Sequence, residues 1–172
     1  MKAKSLGLTA AALLLATPAV AHVTLEGKQA AIGSPYKAVF VVPHGCEGSA
    51  TTKLRVQVPP GVIVTDTKAP SGWQVATVTG KFAAEYEFQG KKVAEGITEI
   101  NWSGGKLPDK TRETFAVETF LTGSLKPNTT LYFPVVQECE QGVHRWIEIP
   151  ADADHAHDKK WPEPGVKLLP AS

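Results

Sequence analysis

The sequence predicts an all-β protein, an antiparallel two-sheet sandwich held by one disulfide. Three observations carry this reading. After Ala21 no amphipathic pattern of 3.6-residue period runs longer than two turns. Short runs rich in β-branched and aromatic residues recur instead, cut by Gly and Pro. The chain also holds only two cysteines, Cys46 and Cys139. In chain order the strand candidates are His22–Glu26, Tyr36–Val42, Thr52–Val58, Trp73–Thr79, Ala83–Phe88, Thr98–Trp102, Glu113–Leu121, Thr130–Val136 and Val143–Ile149. Gly33-Ser34-Pro35, Pro59-Pro60-Gly61, Pro70-Ser71-Gly72, Ser103-Gly104-Gly105 and Lys126-Pro127-Asn128 read as the turns between them. Strands this short with turns this regular suit a sandwich. Alternation supports several of them: Leu54, Val56 and Val58 share one face, and Arg55 and Gln57 the other. In the last candidate strand Val143, Arg145, Ile147 and Ile149 share a face that a core would hide. Trp146 then falls on the polar side with His144 and Glu148.

Residues 1–21 read as a secretory signal: Lys2 and Lys4, an apolar run from Leu6 to Ala16 too short to span a bilayer, and Ala19-Val20-Ala21 as a cleavage site. No second long apolar stretch follows, so the expected product is periplasmic or secreted and has no membrane span. It begins at His22. Of the 18 basic residues against 17 acidic ones, cleavage removes Lys2 and Lys4. Near neutrality gives no electrostatic footprint for nucleic acid. Cleavage also removes Met1, the single methionine. In an oxidising compartment Cys46 pairs with Cys139, so no free thiolate remains. Soft sulfur ligands are then absent, and any metal must be held by nitrogen and oxygen.

The expected new N-terminus is the sharpest chemical feature. His22 would offer an α-amine and an imidazole, whose nitrogen Nδ1 closes a six-membered chelate with the amine on one metal ion. Nitrogen pairs of this kind suit Cu(II), which binds most tightly among the first-row divalent ions. The disulfide ties the turn His44-Gly45-Cys46-Glu47 to Gln137-Glu138-Cys139-Glu140, close in sequence to His144 and Trp146. It therefore gathers polar and metal-capable groups near one end of the sandwich.

The blocks His22-Val23-Thr24-Leu25-Glu26, Val42-Pro43-His44-Gly45-Cys46-Glu47-Gly48-Ser49, Pro70-Ser71-Gly72-Trp73, Trp102-Ser103-Gly104-Gly105, Phe133-Pro134-Val135-Val136-Gln137 and Gly142-Val143-His144-Arg145-Trp146 resemble the YcnI-like family. The likeness covers about His22 to Pro150 and the Pro164–Pro170 end. That family comprises exported β-sandwich proteins associated with bacterial copper handling, of an immunoglobulin- or cupredoxin-like architecture. The resemblance implies a Cu(II) site made of the N-terminal histidine, a carboxylate and a tryptophan indole. His22 matches the first, Glu47 is carried over as the carboxylate, and Trp146 as the indole with Trp102 ranked second. Trp73 and Trp102 otherwise read as packing residues. His44 and His144 are candidate outer ligands.

Three segments are expected: a signal at 1–21, the sandwich at 22–150, and an extended tail at 151–172 laid over the sandwich or left loose. The tail holds Asp152-Ala153-Asp154-His155-Ala156-His157-Asp158, where His155 and His157 could form a weaker metal collector; a solvated tail is the blander reading. Enzyme signatures are thin: there is no Gly-x-Ser-x-Gly and no phosphate-binding Gly loop. The expected function is Cu(II) binding for delivery or storage, with other exported copper-handling proteins as partners, and not catalysis. The competing readings are a copper oxidase or oxygenase of histidine-brace type and a metal-free module that binds protein.

Overall fold

The computed structural model describes residues 22–151 and 158–171. The signal segment, and with it Asp152, Asp154, His155 and His157, lies outside the described residues. The first sheet is antiparallel, in the order β1 (Thr24–Leu25), β3 (Ser34–Val42), β8 (Glu113–Leu121), β5 (Val62–Thr67). The second has the order β11 (Val143–Trp146), β10 (Val135–Cys139), β4 (Thr51–Gln57), β7 (Lys91–Leu107), β6 (Gln74–Phe88), again antiparallel throughout. A small third sheet sets β12 (Gly165–Leu169) between β2 (Gln29–Ala31), to which it runs parallel, and β9 (Thr130–Tyr132), to which it runs antiparallel. The all-β prediction holds.

Period-2 alternation builds the core. Tyr36, Ala38, Phe40 and Val42 of β3 and Phe115, Val117, Thr119 and Leu121 of β8 point inward. They meet Leu54, Val56, Ile100 and Trp102 of the second sheet. Each of the Val, Leu, Ile and Phe side chains contributes about 1.5–3 kcal/mol by burial. Thr119 is polar among these, and its hydroxyl is satisfied by donating to the Tyr36 carbonyl at 2.6 Å. Trp102 is fully buried, with Nε1 donating to the Lys68 carbonyl at 3.0 Å. This is the packing role expected of it.

Several elements differ from the sequence reading. Ser103-Gly104-Gly105 is not a turn between strands but lies within β7, because a side chain at Gly105 would sit 2.4 Å from the Trp73 ring. The glycine makes room for an aromatic ring within a strand. The two candidates at 73–79 and 83–88 are one long strand, β6, whose register shifts between Lys81 and Tyr86. Pro134 divides 130–136 into β9 and β10, which join different sheets. Strands β2 and β5 were not expected.

The face assignment of β11 is reversed. His144 and Trp146 are buried, while Val143 and Ile147 are about half exposed, at 47% and 49%. One tryptophan hides more apolar surface than a valine, and Gln137 on the neighbouring strand accepts its indole N–H. Aromatic area with a satisfied polar atom therefore outweighs the aliphatic count.

The segment after Pro150 also departs from a strand-poor tail. Val166 and Leu168 of β12 belong to the core, and Lys167 donates its backbone N–H to Lys28 at 2.9 Å. Just before it, Glu163 is 8% exposed and held in place by its backbone N–H on the Glu148 carbonyl at 3.0 Å. Burial raises its carboxyl pKa from 4.5 to about 7. The folded state thus holds the proton more tightly than the unfolded chain. The stability this confers is complete below about pH 4.5 and is lost as pH rises through about 7. Glu163→Gln should therefore be more stable than the parent at pH 8, by on the order of 1–2 kcal/mol, and equal to it near pH 4. Urea unfolding at the two pH values checks this.

Candidate functional site

The site is built where three pieces of backbone meet: the N-terminal residues before β1, the turn 44–49, and the β10–β11 hairpin. Gly45 makes the turn possible, since a Cβ there would lie 1.9 Å from the Ser49 carbonyl oxygen. Cys46 and Ser49 then exchange backbone hydrogen bonds of 2.9 Å each, and Glu47 takes a positive φ of 50° at the tip. The Cys46–Cys139 bond joins this turn to the hairpin, with Cα atoms 5.9 Å apart. The expected pairing is present. Glu140 N–H to the Ala50 carbonyl at 2.9 Å and Gln141 N–H to Ser49 Oγ at 2.8 Å reinforce the junction.

His22, His44, His144 and Trp146 come together here. The His22 ring lies 5.8 Å from Trp146, edge to face, and His144 lies 5.8 Å from Trp146 on the same terms. His44 and His144 are 6.4 Å apart by ring centroid. Trp146 is held in turn. Its Nε1 donates to Gln137 Oε1 at 3.0 Å, and Gln137 Nε2 donates to the His44 carbonyl and to Thr51 Oγ1, each at 2.7 Å. One buried amide thereby fixes both the indole and the backbone of the His44 turn. His44 Nδ1 hydrogen-bonds the Gly45 carbonyl, which directs the lone pair to Nε2.

Two imidazole nitrogens stand out. His22 Nε2 and His144 Nδ1 are buried without a hydrogen-bond partner among the described residues. Buried polar atoms are rarely left so, and an orphan points to an ion or molecule that completes it. Both rings have pKa values below the ordinary imidazole value, from burial first and then from the nearby His44; for His144, Glu47 pulls upward and Lys160 downward. Their lowered values favour neutral, ligand-competent imidazoles. This part of the stability is present above about pH 6.5 and is lost as pH falls, opposite in sign to Glu163.

Glu47 is exposed, close enough for its charge to act on His144. Among the described residues no three His, Cys, Asp or Glu side chains form a ready metal-holding group. Trp102 is in the core, where its ring packs against Phe40 and Phe115.

Trp161 is the residue that sequence reading missed. Its ring lies 3.9 Å from His144 and 5.2 Å from Trp146, and Lys160 Nζ sits 5.0 Å over its face. Glu148 and Trp161 are tied by a backbone hydrogen bond of 3.0 Å. It was overlooked because the segment read as a tail; the Trp-Pro-Glu-Pro rigidity at 161–164 was the available signal. Trp161→Ala should raise the His144 pKa toward the ordinary value, since water then reaches the ring. Proton NMR titration of the imidazole checks this.

The fold and site define a disulfide-stapled immunoglobulin-like sandwich with a histidine and tryptophan cluster at one end. The chain belongs to the family described as DUF1775, a domain of unknown function, whose model matches residues 22–168. The YcnI-like proteins that the sequence resembles carry this domain. Among solved structures, an uncharacterized protein from Nocardia farcinica with an immunoglobulin-like fold is similar over 86% of this chain and 98% of its own, at 23% identity and a TM-score of 0.63. A protein of Corynebacterium diphtheriae described as membrane anchored aligns over 72% of this chain and 31% of its own, at 10% identity and a TM-score of 0.43. No curated protein matches.

Proposed function

We propose that this chain is exported and binds one Cu(II) ion at the His22 end of the sandwich, holding or delivering copper without catalysis. The observation that carries the reading is the pair of buried, unpartnered imidazole nitrogens, His22 Nε2 and His144 Nδ1, beside Trp146. Cleavage after Ala21 would add the His22 amine, and the chelate it forms uses Nδ1. With Nδ1 in the chelate, Nε2 is left to carry the proton of the neutral ring. His44, with its tautomer fixed by a backbone carbonyl, gives one ring N–H to that carbonyl as metal-binding imidazoles commonly do. Glu47 supplies negative charge next to the cluster, whereas Glu140 is engaged by Lys106 at 2.6 Å. Glu47→Gln should therefore weaken copper more than Glu140→Gln. The buried Trp146 ring would shield the ion from water, its indole N–H being already given to Gln137.

The test is titration of a chain beginning at His22 with Cu(II), followed by electron paramagnetic resonance and thermal melting. One Cu(II) per chain with nitrogen hyperfine structure, a raised Tm, and loss of both in His22→Ala support the proposal. Binding unaffected by His22→Ala overturns it. Because the donors are nitrogen and oxygen, reduction should release the metal; Cu(I) affinity equal to that of Met-rich carriers contradicts this. A copper oxidase is the reading favoured if His144 acts as a second ligating imidazole. Peroxide formed when the reduced, copper-loaded protein meets oxygen would establish it in place of carriage.

A further inference from the structure

A cavity of about 370 Å³ opens beside β1, with His22 among the residues that line it. Leu25, Tyr132, Pro162 and Pro164 supply mostly apolar walls, and the Glu163 side chain lines it between the two prolines. Its volume falls at the small end of ligand pockets, and an apolar cleft with one placed polar group is the usual form of such a site.

Glu163 is what makes this cavity more than a surface dent. It is the one carboxylate among the buried polar residues, and among the described residues its side chain has no hydrogen-bond or ion-pair partner. A fixed, buried, unpaired carboxyl costs the fold stability and is retained only where something repays it. Lys28 and Lys167 also border the cavity; both side chains are largely exposed, although partial burial lowers the Lys28 pKa. A lysine ammonium on a flexible stem can turn out to water, whereas the Glu163 carboxyl, on a mostly buried side chain, stays at the cavity and offers a charge-assisted hydrogen bond. The larger effect selects a cation.

We propose that this cavity binds a small organic molecule with a primary ammonium group on an apolar body, the ammonium pairing with Glu163 and the body lying on Leu25, Tyr132 and the prolines. Although His22 also lines this cavity, the site does not depend on the copper reading, since neither Glu163 nor the apolar walls are among the proposed metal donors. Burial that raises the Glu163 pKa to about 7 also lets a bound cation ionise it at neutral pH.

The experiment uses n-hexylamine as probe, on the chain beginning at His22, kept metal-free with a chelator, at pH 7.5. Amide NMR shifts are followed, with n-hexanol and hexanoate as probes of equal length. Saturable shifts at Leu25, Tyr132 and Gly165 with hexylamine are expected, at least tenfold tighter than with hexanol. Glu163→Gln should weaken hexylamine at least tenfold, while Lys28→Ala leaves it within twofold. Hexanoate binding as well as hexylamine, shifts centred instead on Phe82 and Ile97 of the neighbouring cavity that Glu163 also lines, or undiminished binding by Glu163→Gln would each overturn the proposal. Should Glu163→Gln not fold, the amine-to-alcohol comparison on the parent decides alone. Retained amine binding in His22→Ala, with copper lost, separates this site from the metal site.

Discussion

A chain that keeps Ala21 in front of His22 is expected to bind Cu(II) about a hundredfold more weakly than one that begins at His22, because linked donors act at high effective concentration. The peptide bond to Ala21 turns a basic amine into an amide whose lone pair is delocalised into the carbonyl. One nitrogen donor is lost, and with it the six-membered ring through Nδ1. The imidazoles of His22 and His144 remain beside Trp146 in either chain, so the comparison isolates the amine. Isothermal titration against a competing chelator measures the difference. Equal affinity would leave an imidazole-only site and remove the role of processing.

Removing the staple is expected to have the largest effect on stability. Cys46 and Cys139 are 93 residues apart, and a cross-link of that span contributes on the order of 4–5 kcal/mol in the chain-entropy model. That is a large share of what a domain of this size has. The Cys46→Ser, Cys139→Ser double variant should show this loss as a lower urea midpoint with an unchanged slope. Copper should loosen as well, because the bond sets the turn bearing His44 and Glu47 against the hairpin bearing His144 and Trp146. Titration is done at low temperature, where the variant is still folded. Copper bound as tightly as in the parent would make the bond a structural staple only.

The fold class was legible because it depends on patterning: β3, β4 and β8 alternate so cleanly that their inward faces are readable residue by residue. Turn chemistry was less reliable. A glycine pair reads as a turn from composition, and only the Trp73 ring against Gly105 reveals a packing glycine inside β7. The site was half legible. His22, His44, His144 and Trp146 were recognisable as candidates, and the disulfide indicated that most of them would meet. Which way β11 faces depended on Gln137 accepting an indole N–H across a strand pair, which no local pattern encodes. Trp161 and Glu163 were hidden because a segment with three prolines reads as coil, whereas tertiary pairing with β2 and β9 makes part of it a strand.

The parallel pairing of β2 with β12 also orders events in time. Lys167 lies opposite Gln29 with most of the chain between them, so this contact closes the longest loop and rewards its entropy last. Trp161, Pro162 and Glu163 arrive only with that closing strand. Until then His144 lacks its aromatic cover, the cleft beside Leu25 lacks a wall, and β2 and β9 present bare edges. The histidine cluster's aromatic cover and the wall of the cleft therefore depend on one and the same late contact. A copy clipped near Pro150 would lose both together and display the grooves that Val166 and Leu168 normally fill, the kind of apolar surface that quality-control factors recognise.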